Sequence, residues 1–324
     1  MISYKTVWEF MKIPTWITKH PLIVQFVLIT TLLISFVLGY FYPSYREIQA
    51  INSFKEIHPD CHVYIKTTQT APDWVFDLLQ KVKLEKYASR IWRMEIHGVF
   101  NSSRKLTSEF ELDLLPSFQK LRILSVSGCF LNSNSMSNLS QLKHLMQLRM
   151  ERCEILDDGS LTLHNLESLK EFYSNYLMLK KVDLKNLPRL KTLDLKNARI
   201  GDELIDQLSP VSGSLTSLGI ANSNISDEGL KKLHHLTKLE FVDLRFTRSS
   251  ATGHPNFTWE GVTQLKSHPT LENVGISSTF DAEILKKIKA EVPRFVTRWD
   301  APVRPEERER RILEVESNHK LERN

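Results

Sequence analysis

The chain has 324 residues, a formal net charge of +5 and a sequence pI near 8.9. That balance is mild and no basic stripe with interleaved aromatics accompanies it, so nucleic acid is not implied. No G-x-x-x-x-G-K-[ST] phosphate loop, H-E-x-x-H or C-x-x-C occurs, and the adjacent His234 and His235 cannot face one site from a helix. An enzyme is therefore not expected, and neither is a cofactor or a metal.

Residues 1–20 form a flank carrying Lys5, Lys12 and Lys19. Residues 21–42 follow, and LIVQFVLITTLLISFVLGYFY contains no charge. At about 1.5 Å per helical residue this stretch spans roughly 31 Å, close to the ~30 Å hydrocarbon core of a bilayer. Trp16 on one side and Tyr40, Phe41, Tyr42 and Tyr45 on the other stand where interfacial aromatics belong. The stretch is longer than the apolar region of a secretory signal, and no A-x-A cleavage site follows, so a retained anchor is the expectation. Three lysines before it against Arg46 and Lys55 after it orient the rest of the chain outside the cytoplasm.

Residues 43–90 read as a linker and N-terminal cap. Val63 and Ile65 begin a degenerate strand. Thr70-Ala-Pro-Asp-Trp74 opens a helix, with Pro near its first position and Val75, Phe76, Leu79 and Val82 on one face.

From residue 91 to 298 one pattern repeats. Its first apolar position falls at Ile91, Leu121, Leu145, Leu169, Leu190, Leu215, Leu239 and Leu271. The period is 24 residues from Leu121 to Leu145, from Leu145 to Leu169 and from Leu215 to Leu239, and 25 from Leu190 to Leu215. LRILSVSGCFL, LMQLRMERCEI, LKTLDLKNARI and LTSLGIANSNI each show LxxLxLxx-small-xL. The fourth unit, LKEFYSNYLML from Leu169, departs from it, and its assignments follow by analogy. Side chains alternate along a strand, so positions four and six, such as Leu193 and Leu195, point into the coil. Position nine joins them with Cys129, Cys153, Ala198, Ser223, Thr247 and Thr279. One unit cannot cover its own inner face, so neighbours must. Ile225-Ser-Asp-Glu-Gly-Leu230 and Phe257-Thr-Trp-Glu-Gly-Val262 each supply an N-cap (Ser226 or Asp227 in the first) and first-turn acids for a helix. Cys129 and Cys153 share one position in consecutive units, about one strand spacing apart, and free buried thiols are expected.

These units resemble the leucine-rich-repeat family, in its helix-containing subclass, and the I-(S/T)-D-x-G-L element resembles bacterial members anchored by an N-terminal hydrophobic segment. The resemblance implies an α/β leucine-rich-repeat solenoid with parallel strands on the concave face, helices on the convex face and one N-terminal transmembrane helix. Residues 101–105 and 248–256 are insertions between strand end and helix start; residues 281–292 read as the closing cap. Residues 299–324 form a charged tail.

Positions five and seven of each strand face the concave side. Arg149, Glu151, Tyr173, Asp194 and Lys196 at the centre, with Asp243 and Arg245 beyond, are the candidate contact residues: a mixed polar row with Tyr and Arg, types that carry energy at protein interfaces, among them. The expected function is a membrane-anchored, non-catalytic surface for a protein partner. Two alternatives stay open: an envelope scaffold that needs only tether and shape, and capture of a carbohydrate or small ligand.

Overall fold

The computed structural model describes residues 21–98, 112–156, 159–177, 179–198, 201–245 and 256–276, with 286 and 290 alone beyond them. The flank 1–20, both insertions, Thr247, Thr279, the closing cap and the charged tail lie outside the described residues, apart from Asn256 at the end of the second insertion and the isolated residues 286 and 290 of the cap.

Helix α1 runs from Pro21 to Ile57, 37 residues and about 55 Å. Its character changes along its length. Phe26, Val27, Leu28, Ile29, Leu32 and Ile34 all lie exposed, so this half is long and apolar enough to cross a membrane by length and composition. Past residue 42 the helix continues without a break and becomes one-sided: Ser44, Glu47, Ile51 and Phe54, spaced three and four apart, are buried. That stripe covers the start of the solenoid. Strand β1 (His62–Gln69) then pairs antiparallel with β2 (Ser89–His97), with helix α2 (Asp73–Lys81) between them. The expected degenerate strand and the helix after Pro72 are both present, but Val82 does not share the face of Val75, Phe76 and Leu79: the helix ends at Lys81, and Val82, its C-cap, lies exposed.

From β2 onward the concave sheet is parallel: β3 (Ile123–Ser127), β5 (Gln147–Glu151), β8 (Glu171–Asn175), β10 (Thr192–Lys196), β11 (Ser217–Gly219), β12 (Phe241–Asp243) and β13 (Asn273–Gly275), nine strands with β1. Short β4 (Phe130–Leu131) and β6 (Glu154–Ile155) pair at the turn after two of these strands. The parallel pairing is in register throughout, so Leu124, Leu148, Phe172, Leu193, Leu218, Val242 and Val274 form one continuous buried row, and Val126, Met150, Ser174, Leu195, Ile220, Leu244 and Ile276 a second. The aberrant fourth unit keeps that register, with Phe172 and Ser174 inside; the Ser174 hydroxyl, buried in a row of apolar neighbours, has no hydrogen-bond partner. Cys129, Cys153, Ala198 and Ser223 are all buried, and Cys129 and Cys153 are free thiols with Sγ atoms 3.0 Å apart.

Among the described residues, five units place a residue in the left-handed region at position eight, after the strand: Gly128, Arg152, Tyr176, Asn197 and Asn222, φ between 50° and 64°. This residue turns the chain out of the sheet. Asparagine tolerates that conformation because its short amide finds local partners, and here it does: Asn197 Nδ2 donates to Asn175 Oδ1 at 2.6 Å and Asn222 Nδ2 to Asn197 Oδ1 at 2.7 Å.

The convex face corrects one expectation. Among the described residues helices occur there as expected in four units: α3 (Ser133–Ser140), α4 (Glu203–Gln207), α5 (Asp227–Lys232) and α6 (Trp259–Gln264). In the units that begin at Leu145 and Leu169 the convex element is a strand instead, β7 (Ser160–His164) and β9 (Lys181–Lys185), paired in parallel. The reason is local. SLTLH and KVDLK alternate with a period of two, burying Leu161, Leu163, Val182 and Leu184 while the residues between face out. A strand lies flatter than a helix, so a recess of about 530 Å³ opens beside α3, lined by hydroxyls of Ser133, Ser137, Ser160 and Thr162 with His164 and Asp183.

The I-(S/T)-D-x-G-L element is a staple between coils. Ser226 and Thr258 cap α5 and α6 as expected, accepting from Glu228 N at 3.2 Å and Gly261 N at 3.3 Å. Each cap is itself held by the aspartate of the preceding coil. Asp227 accepts from Thr258 N at 2.7 Å and from Thr258 Oγ1 at 2.8 Å; Asp202 accepts from Ser226 N at 2.8 Å and from the Ser226 hydroxyl. These carboxylates lie against Gly229 and Gly261, where any Cβ would overlap Asp202 Oδ1 or Asp227 Oδ1. Glycine is there for space. Gly261→Ala should therefore lower unfolding free energy by about 1–3 kcal/mol, the usual cost of forced overpacking. In urea titrations Asp227→Ala combined with Gly261→Ala should cost less than the sum of the single changes; strict additivity would reject the staple.

Candidate concave recognition face

Strand alternation puts positions three, five and seven on the open side of the sheet. At the N-terminal end Arg93 donates to Glu95 Oε1 through Nη2 at 2.6 Å and Nε at 2.9 Å, and His97 Nδ1 lies 2.8 Å from Ser127 Oγ. Burial pushes the Glu95 carboxyl up, but the Arg93 hydrogen bonds and charge, with His97 alongside, outweigh it and leave the carboxyl below its usual range.

The centre holds the expected Arg149, Glu151 and Tyr173. Arg149 stands opposite Tyr173 across β5 and β8, and its guanidinium lies 4.6 Å from the ring centroid, a cation–π distance. The Tyr173 hydroxyl donates to Glu171 Oε2 at 2.9 Å, and Gln147 Nε2 donates to the same oxygen at 2.8 Å. Glu151, at the strand's end, is exposed.

Towards the C-terminal end, Asp194, Lys196, Asp243 and Arg245 come together across an intervening strand. Lys196 Nζ is 2.8 Å from Asp194 Oδ2 and 3.8 Å from Asp243 Oδ2; Arg245 holds Asp243 through Nε at 2.8 Å and Nη2 at 2.7 Å. The glycines at position five permit this. Asp194 lies over Gly219, where a Cβ would meet its Oδ1 at 2.5 Å, and Asp243 lies beside Gly275. The carboxylates are the covered members, 16% and 2% exposed, and the cations the open ones, 35% for Lys196 and 25% for Arg245. Burial raises the Asp194 carboxyl above its ordinary value, with Asp243 adding to the rise and Lys196 opposing it. Asp194 Oδ1 has no hydrogen-bond partner.

All seven candidates thus lie on one face, in two groups: Arg149, Glu151 and Tyr173, then Asp194, Lys196, Asp243 and Arg245. Sequence reasoning passed over position three, where Arg93, Gln147 and Glu171 take part in the same networks. The period-two alternation that selects positions five and seven selects position three as well. Among the described residues no group of three or more His, Cys, Asp or Glu is placed to hold a metal ion.

No family model matches the chain, and no curated protein does. Among solved structures it is similar to an internalin C2 of Listeria monocytogenes, at 19% identity over 53% of this chain and 68% of that one, with a TM-score of 0.32. It is also similar to an internalin, InlF, of the same organism, at 16% identity over 53% of this chain and 58% of that one, with a TM-score of 0.26. The coil geometry itself, in-register parallel strands over two leucine-rich inner rows, defines a leucine-rich-repeat-type α/β solenoid.

Proposed function

We propose that this chain is a membrane-anchored, non-catalytic recognition protein: α1 tethers the solenoid at a bilayer, and the concave face binds a protein partner outside the cytoplasm. The observation that carries this reading is the Asp194 cluster. A carboxylate raised by burial and leaving one oxygen unbonded costs folding stability where a small neutral residue would not, and such local inconsistencies concentrate where function demands them. Its arrangement also tells what fits. The acids are turned under and the cations face out, so Lys196 and Arg245, with Arg149 spread on Tyr173, offer a surface complementary to acidic side chains on a folded partner.

A photo-crosslinking residue in place of Tyr173 tests the proposal in intact cells. It should give a discrete protein adduct that Arg149→Glu and Lys196→Glu abolish, while the same probe at Glu228 on convex helix α5 gives none. Adducts of equal yield from both faces, or an adduct indifferent to both reversals, would reject the concave face as the contact surface.

A further inference from the structure

Helix α2 carries two apolar faces, and only one is covered. Val75 is buried in a cluster with Ala71 and Ala88, and half-buried Phe76 and Leu79 of α2 and Phe36 and Phe41 of α1 pack against that cluster. The other face presents Trp74, Leu78 and Val82, spaced four apart and 69%, 57% and 58% exposed. Three large apolar groups in one open line would be a liability on a surface bathed only by water.

Their height along α1 supplies the missing partner. If residues 21–42 cross the bilayer, Phe41 lies at the hydrocarbon boundary. Phe36, six residues before Tyr42, lies about 9 Å below it at 1.5 Å per residue. The cluster against which both side chains pack, with Val75 of α2 in it, then rests at the junction of headgroups and acyl chains, the depth of roughly 5–10 Å at which amphipathic helices lie in membranes. The surroundings match that level. Tyr42 and Tyr45 of α1 are exposed, Tyr45 is paired with Tyr87 at 6.3 Å between ring centroids, and Lys86 Nζ lies 5.1 Å over the Tyr87 ring. Tyrosine and tryptophan with a snorkelling lysine form the belt expected where one end of a side chain is dry and the other wet.

We infer that α2 is a second membrane contact, lying in the plane of the interface with Trp74, Leu78 and Val82 inserted among the lipids. This rests on the anchor reading, and the test separates the two. The full chain is reconstituted into phosphatidylcholine vesicles whose acyl chains are brominated either near the headgroup or near the methyl end. The Trp74 contribution is the difference in emission between wild type and Trp74→Phe. A Phe26→Trp variant reports on the anchor.

The expected result is loss of most of the Trp74 emission with bromine near the headgroup, and little loss with bromine near the methyl end. Trp74 unquenched while the added tryptophan at position 26 is quenched overturns the α2 contact and leaves the anchor; a partner protein then covers that face. Neither quenched, with the chain released from vesicles by alkaline carbonate, overturns both.

Discussion

Glu47→Ala should loosen the N-terminal cap by about 3 kcal/mol, read as a lower denaturation midpoint and faster hydrogen exchange in β1 and β2. Glu47 is 1% exposed, accepting from Ile91 N at 2.9 Å and Arg90 Nε at 2.7 Å. Beside that amide, pairing between β1 and β2 shifts register after Lys66, so the carboxylate meets the sheet where its ladder is irregular. Removing one partner of a buried ion pair costs about 3–5 kcal/mol because the other charge is stranded. Arg90 keeps 13% exposure, which places the loss at the lower end.

Burial holds the Glu47 carboxyl above its ordinary 4.5, against the lowering effect of Ile91 N–H and Arg90. The folded cap therefore binds this proton more tightly than the unfolded chain does. Its contribution to stability is complete below about 4.5 and declines as pH rises through the raised value. Glu47→Gln keeps an acceptor for Ile91 N–H and has no proton to bind. It should remove that part of the slope in a plot of unfolding free energy against pH. A slope identical to wild type would show that Glu47 does not titrate with the cap.

Leu193→Ala should cost about 2–5 kcal/mol, the range for a fully buried leucine truncated in a core that relaxes only in part. Leu193 is 0% exposed and stands between Phe172 and Leu218 in the inner row. A solenoid's stability is the sum of its units and the interfaces between neighbours. Leu193→Ala with Leu218→Ala should therefore couple, since the two side chains are register partners. Leu193→Ala with Leu124→Ala, three strands away, should add to within about 0.5 kcal/mol. Equal coupling for both pairs in urea unfolding would contradict a core built from nearest neighbours.

The inner rows were legible because every unit repeats the same alternation, and repetition turns a weak local signal into a strong one. Even the fourth unit obeyed, since Phe172 takes the place of leucine while its neighbours impose their register on Tyr173 and Asn175. What escaped was of another kind. SLTLH and KVDLK carry their own period of two, but a template that assigns a helix to every unit conceals it. The reach of α1 past residue 42 escaped for a similar reason: a change from all-round apolar to one-sided composition reads as an end, although the backbone does not break there. The glycines of I-(S/T)-D-x-G-L were visible, yet their purpose was not, because the carboxylate that occupies the space belongs to the preceding coil. The candidate side chains were placed on their face by alternation alone; the pairing of Lys196 with two aspartates depends on Gly219 having no side chain, a relation across strands that one strand cannot express.

The unbroken run of α1 into the cap has a geometric corollary. If α1 tethers the chain at a bilayer as proposed, the compass bearing of the open sheet face about the bilayer normal depends on how many residues separate the apolar half of the helix from Glu47, since a helix advances about 100° with each residue. On that reading one residue added or deleted there would swing the open face through more than a quarter turn, while seven would bring it nearly back to its starting direction. Tether length and viewing direction would then be one quantity, and a partner held in the same membrane would meet the open face only from the side that the helical phase selects.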